Sequence, residues 1–334
     1  MIQRAMTREE RTMRVRTAVW TVSLVLLLGV VLSMPAGWSP RADAAAQGEY
    51  SGPKMCAACH RGTHPEVLSA QAESAHAGAM WRIEEQDEKH RLLADFSSNP
   101  PFSKDEIAYV LGTGRKYQSY LTADLRVLPA EWSVEKSSWR PREAVDATRD
   151  CLGCHTTGFD PQAKEWVALG VTCEMCHGPG KAHVGSQDKN ASIVRPGSLT
   201  PERRAMICGQ CHASGKSKDG AFAFPVGYRP GDDLNAYFVL EATVEADVVN
   251  SQYNELVQGS KHLAAGTVCT TCHEAHGPSG SLPSQLTAPI NDLCLGCHGG
   301  ELVGPQHDPA ALKSVTCAAC HMPGGKHIFA LPAG

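Results

Sequence analysis

The chain has 334 residues, room for about two ordinary domains, and carries a net charge of −4 with a pI near 6.4. That balance excludes the basic field a nucleic-acid binder needs. Fourteen Cys and fifteen His exclude an ordinary reducing-compartment enzyme, and also a plain disulfide scaffold, which has no use for the histidines.

Residues 1–46 read as an export signal. Arg4, Arg8, Arg11, Arg14 and Arg16 form a basic leader, Ala18–Met34 is an apolar run of 17 residues, and Ala42-Asp43-Ala44 supplies small residues of the cleavage type. The stretch between Met34 and the alanines is long for a cleavage region, so an uncleaved N-terminal anchor stands as the alternative. In both cases the arginines stay inside and the chain beyond Gln47 crosses the membrane.

Beyond the leader one short pattern occurs seven times. The first copy, Cys56-Ala-Ala-Cys59-His60, is followed by a gap over residues 61–150 without cysteine. The gap holds helix-like stretches near 64–82 and 104–111. Alternating Arg115–Leu121, a turn at Thr122–Asp124 and Leu125–Leu128 then predict a hairpin. A middle cluster follows: Cys151-Leu-Gly-Cys154-His155, Cys173-Glu-Met-Cys176-His177 and Cys208-Gly-Gln-Cys211-His212. Thr200-Pro201-Glu202 predicts a helix start before the last of these, Thr as N-cap and Pro in the first turn. Residues 213–268 form a second gap, Gly/Pro-rich from Phe224 to Gly231 and strand-like at Tyr237–Leu240. An end cluster closes the chain: Cys269-Thr-Thr-Cys272-His273, Cys294-Leu-Gly-Cys297-His298 and Cys317-Ala-Ala-Cys320-His321.

Seven pairs use all 14 cysteines, and His follows each pair directly. C-x-x-C-H is the attachment signature of c-type haem. On a helical turn, positions i, i+3 and i+4 share a face, so two thiols reach the vinyl groups of one porphyrin edge while the imidazole turns to the iron. The blander readings fit less well. Zinc ribbons do not require His at the fifth position each time, thioredoxin-like pairs need a βαβ pattern that is missing, and seven disulfides leave the histidines unexplained. The expected cofactors are seven covalently bound haem c groups.

Eight histidines remain for the opposite axial positions: His64, His76, His90, His183, His262, His276, His307 and His327. His76, His183, His262, His276, His307 and His327 lie close to motifs, several among Gly and Pro that suit a chain passing near a flat ring. His64 and His90 are the weaker candidates, of which one is expected to bind iron.

Beyond the motifs, the sequence contains Glu49-Tyr50-Ser51-Gly52, Ser74-Ala-His76, Tyr109-Val-Leu-Gly112 and Leu128-Pro129-Ala130-Glu131-Trp132. Gly170-Val171 leads to Cys173-Glu-Met-Cys176-His177-Gly-Pro-Gly, and Phe224-Pro-Val-Gly227-Tyr-Arg-Pro-Gly231-Asp and Gln252-Tyr-Asn254 ahead of Ser260-Lys-His262 complete the set. In these features the chain resembles the exported multihaem cytochromes c of the cytochrome c-554-like group, over nearly all its length beyond the leader. The resemblance implies electron transfer through closely packed, mostly bis-histidine haems. It leaves the substrate open, because related proteins serve as carriers, outer-surface conduits and catalytic subunits.

The expected fold is a multihaem cytochrome c: mainly short α-helices and irregular chain with a small β-hairpin, its core built from stacked haems. The regions read as a signal or anchor (1–46), an N-terminal single-haem region with the hairpin (47–145), a middle three-haem cluster (146–215), a Gly/Pro-rich connector (216–258) and a C-terminal three-haem cluster (259–334). The expected function is electron transfer outside the cytoplasm, periplasmic or at the cell surface, as carrier or conduit. Expected partners are redox proteins with basic docking surfaces and further copies of the chain, with no nucleic acid; the membrane is a partner only if the leader stays uncleaved. The alternative is an oxidoreductase in which one five-coordinate haem acts on a small nitrogen or sulfur oxyanion or hydroxylamine.

Overall fold

A computed structural model describes residues 48–88, 90–97, 99–242, 250–277, 282–299, 307–308 and 310–329. The leader lies outside them. Short helices alternate with irregular chain and three small antiparallel sheets. In chain order the elements are α1 (Pro53–His60), α2 (Pro65–Glu73), β1 (Met80–Arg82), β2 (Tyr109–Leu111), β3 (Tyr117–Leu121), β4 (Ala130–Ser133) and β5 (Ser138–Pro141). Then come α3 (Ala147–Asp150), α4 (Leu152–His155), β6 (Thr156–Thr157), β7 (Ala168–Leu169), α5 (Cys173–His177), α6 (Lys181–Gly185) and α7 (Pro201–Gly209). The last are β8 (Gly215–Ser217), β9 (Phe238–Leu240), α8 (Gln252–Gly259), α9 (Cys269–Cys272), α10 (Ile290–His298) and α11 (Cys317–His321).

The hairpin is part of something larger. Strands β1 to β5 form one antiparallel meander in sequential order, with Val110 opposite Tyr120 and Trp132 opposite Trp139. The segment 125–128 does not form the second arm; it makes an isolated bridge from Val127 to Leu121, and β4 takes the strand position. Of the two helix-like stretches, the first ends at Glu73 and the second is a single 3-10 turn at Lys104–Glu106 followed by β2. A capping box on Ser103 and Glu106 closes that turn, and Ile107 is already extended.

Successive strand residues point to opposite faces, and both faces of β1 to β4 are covered, while β5 is the exposed edge. Trp81, Val110, Tyr120 and Trp132 pack with Phe102 and Ile107 on one side, under a lid of Phe96 and Trp139. Met80, Tyr109, Leu111 and Leu121 face the other way, against Ala147, Cys151 and Leu152. The second motif is therefore seated on the sheet. A third cluster joins α7 (Ala205, Met206) to Tyr228, Leu234, Phe238, Tyr253 and Val268, and so fixes the fourth motif against the start of the fifth. Helix α7 begins where the sequence predicts. Thr200 accepts a hydrogen bond from the Arg203 amide, and Pro201 opens the first turn.

Candidate haem sites

Each motif occupies a helical turn or the end of one. The first ends α1, the second spans the break between α3 and α4, and the third is α5. The fourth closes α7, the fifth is α9 with the residue after it, the sixth ends α10 and the seventh is α11. The two thiols and the imidazole of a motif thus share a face, as the attachment chemistry requires. Sites are numbered 1 to 7 along the chain.

Thiols of different motifs meet. Cys56 lies beside Cys173, Cys154 beside Cys211, Cys208 beside Cys269 and Cys294 beside Cys317. Cys176 lies beside Cys208 and Cys211, and Cys272 beside Cys297. These contacts put sites 1, 3, 4, 5, 6 and 7 in one line, with site 2 joined to it at site 4. Backbone and side chains hold the order: Gln210 Nε2 donates to the Met175 carbonyl at 2.9 Å between sites 4 and 3. The Cys317 amide donates to Asn291 Oδ1 at 2.8 Å between sites 7 and 6.

Six of the seven motif imidazoles face a second imidazole. His60 lies 6.4 Å from His183, ring centre to ring centre, with planes 12° apart. His177 lies 6.2 Å from His276 at 7°, and His321 lies 6.0 Å from His307 at 16°. His212 and His76 are 6.1 Å apart at 73°, His298 and His262 6.0 Å at 67°, and His273 and His327 6.2 Å at 32°. An iron held between two imidazoles, at about 2 Å per metal–nitrogen bond, sets ring centres about 6 Å apart. The spacing fits a bis-histidine haem at all six.

The remaining ring nitrogens fit as well. His177 Nδ1 donates to the Val194 carbonyl at 2.9 Å, His273 Nδ1 to Ser284 at 2.8 Å and His155 Nδ1 to Ala79 at 2.8 Å. Such a bond fixes the tautomer and leaves Nε2 as the lone-pair nitrogen. His262 Nδ1 meets Ser260 Oγ at 2.9 Å. Burial, with the His212 ring beside it, pushes His76 down to about 4, and burial also lowers His155, His177 and His212. Neutral imidazole is the form that binds iron. A cavity of about 750 Å³ opens beside His177 and includes Lys181 and Arg229, cations suited to haem propionates.

Close backbone approaches position the facing histidines. The turn carrying His76 is held by Ser74, whose Oγ accepts from the Ala77 amide, and the His76 carbonyl accepts from Val171 at 2.8 Å. Gly170, at φ 71°, passes against the Ala77 carbonyl where no side chain would fit. Gly277 does the same beside His276, with φ 136° and the Ala70 carbonyl of α2 in the space a Cβ would take. Gly277 therefore admits the backbone of α2 at the point where the sequence pattern suggested a flat ring.

His155 is different. Among the described residues no second imidazole faces it. Its titratable neighbours are Arg142 and His212. Arg142 also lies beside Cys151, and its Nε is buried without a partner. Glu131, 1% exposed, holds Arg142 at 2.6 Å and Arg140 at 2.6 Å. His90 packs on Trp81 at 5.5 Å and pairs with Asp87. His64 lies 5.6 Å from His60 but is exposed, and its amide donates to the His60 carbonyl at 2.7 Å. That single turn keeps both on the same side of any porphyrin bound by His60.

Two functional side chains escape sequence reasoning. Glu174, inside the third motif and 2% exposed, accepts from the amides of Ser51 (2.8 Å), Gly52 (2.8 Å) and Gly180 (2.7 Å). It ties site 1 to site 3 and to Gly180, the N-cap of helix α6 that carries His183. Arg142 is the other, and only the fold brings it to site 2.

Residues 117–178 match the family model for cytochrome c554 and c-prime, and residues 261–302 match the doubled CXXCH motif. The chain is 26% identical to the multiheme cytochrome MtrA of Shewanella baltica over 63% of its own length and 56% of that protein's. It is 25% identical to cytochrome c-554 of Nitrosomonas europaea over 55% of its length and 60% of that protein's. It thus spans little more than half the length of these relatives. Two solved structures share the fold. The outer cell wall cytochrome OcwA superposes with a TM-score of 0.64 at 24% identity, over 84% of this chain and 79% of that one. The undecaheme S-layer cytochrome of Carboxydothermus ferrireducens gives 0.53 at 18% identity, over 84% and 52%. The fold is that of the multihaem c-type cytochromes, the chain resembles the cytochrome c-554-like group, and its C-x-x-C-H motifs and relatives support covalently bound haem c.

Proposed function

We propose that the chain is a heptahaem cytochrome c that moves electrons outside the cytoplasm along six sites in line, 1–3–4–5–6–7, with site 2 as a branch at site 4. The carrying observation is the set of six imidazole pairs at 6.0–6.4 Å. Bound haem supplies the one-electron chemistry. The residues of this chain fix its order and exposure. His183, His276, His76, His327, His262 and His307 complete sites 1, 3, 4, 5, 6 and 7, and neither His64 nor His90 is a ligand. Each facing histidine except His307 is well separated in sequence from the motif it completes, so five of the six paired sites also staple two distant stretches of chain. The leader and the two structural neighbours, an outer cell wall and an S-layer cytochrome, support residence beyond the inner membrane.

A second reading attaches to site 2 alone. His155 faces no imidazole among the described residues, and the Arg142 guanidinium beside it favours an anion. There the geometry supports a site for a small nitrogen or sulfur oxyanion, fed from site 4. Intact mass and pyridine haemochrome analysis of denatured protein tests the first reading, with seven covalent haems expected and four or fewer contradicting it. Nitrite or sulfite titration tests the second: a spectral change confined to one haem and weakened by Arg142→Met supports it, and an unchanged spectrum removes it.

A further inference from the structure

Glu255 lies on α8, 4% exposed, between the fourth and fifth motifs in sequence. Its Oε1 accepts from Ser251 Oγ at 2.8 Å, and its Oε2 accepts from the backbone amide of His327 at 2.6 Å. The same oxygen is 3.9 Å from His327 Nδ1, a buried nitrogen without a hydrogen bond of good geometry. The Gly325 carbonyl is the other acceptor beside that ring. Among the described residues, the basic side chain Glu255 approaches is this imidazole, not a lysine or arginine.

Other axial candidates are buffered differently. His155, His177 and His273 give Nδ1–H to neutral carbonyls. His276 has a carboxylate, Glu274, 3.5 Å from Nδ1, but both side chains are more than a third exposed, at 45% and 38%, so water screens the charge. A buried anion acts through a low local dielectric, and a carboxylate behind an axial histidine makes that ligand more basic.

We propose that Glu255 is a positioning residue that makes site 5 the lowest-potential step of the array. It does so by favouring the more positive, ferric state between His273 and His327. The inference rests on the ligation proposed above and goes beyond it. Site 5 stands between site 4 and site 6, so it divides the line into a pool over sites 1 to 4 and a pool over sites 6 and 7. Electrons cross from one pool to the other over site 5 instead of resting on it.

Potentiometric titration of the intact holoprotein tests this, using Glu255→Gln and Glu255→Asp with Glu274→Gln as control. Glu255→Gln should move the lowest-potential wave upward and leave the others superimposable, Glu255→Asp should move it less, and Glu274→Gln should barely move any wave. A lowest wave that stays in place in Glu255→Gln, or seven waves that shift together, overturns the proposal. His327→Ala separates it from the ligation reading. One new high-spin haem in that variant upholds His327 as a ligand, so an unmoved wave then counts against Glu255 alone. No new high-spin haem means the ligation itself is wrong, and the proposal falls with it.

Discussion

At the scale of single residues, buried carboxylates do what the cysteine pattern cannot. Glu174 accepts three backbone amides from two separate stretches of chain. Glu131 bridges two arginines, Arg140 and Arg142. Removing Glu174 leaves three backbone amides without their acceptor, at a cost of about 3–5 kcal/mol. Glu174→Ala should therefore lower the denaturation midpoint strongly while intact mass still shows every haem attached, because attachment depends on the thiols. An unchanged midpoint would mean that the strap at Ser51–Gly52 is not held by this side chain. The cysteines and their following histidines were legible in the sequence because spacing alone expresses that chemistry. The carboxylates were not. A Glu inside C-x-x-C-H looks like any variable residue until the fold brings Ser51 and Gly180 against it.

Single elements show where local pattern suffices. Thr200 and Pro201 announce α7, and the structure starts the helix there. Thr200→Ala should cost about 1 kcal/mol in stability, with Thr200→Ser nearly neutral; equal melts for Thr200→Ala and the parent would remove the cap from the account. The sheet was less legible. Strands β1 and β2 are three residues each, too short to show a period. Tyr109, Val110 and Leu111 are all buried because both faces are covered, so the alternation that marks a half-exposed strand is missing. The segment 125–128 looked like the returning arm of a hairpin, yet Leu125 sits in the left-handed region at φ 66° and the strand begins only at Ala130. Facing histidines pose the same difficulty across longer distances. His76 near the first motif faces His212 of the fourth, and His276 after the fifth motif faces His177 of the third, pairings that only tertiary packing defines.

Over the whole molecule, charge and topology bear on the proposed path of electrons. Six arginines against Glu9, Glu10 and Asp43 give residues 1–46 a net +3, which leaves −7 on the remainder of the chain, before haem propionates add to it. Association with a redox partner bearing a basic surface should therefore slow as salt rises; a rate constant unchanged between low and high ionic strength would exclude steering. Topology makes the sharper statement. Six sites carry two imidazoles each, and the seventh, against the sheet, carries His155 with Arg142 nearby. Electron paramagnetic resonance of the oxidised holoprotein counts these directly. Six low-spin ferric haems and one high-spin haem are expected, with carbon monoxide or cyanide binding to one haem in seven at every protein concentration. Low-spin iron at all seven sites, or two or more high-spin haems, would contradict the arrangement.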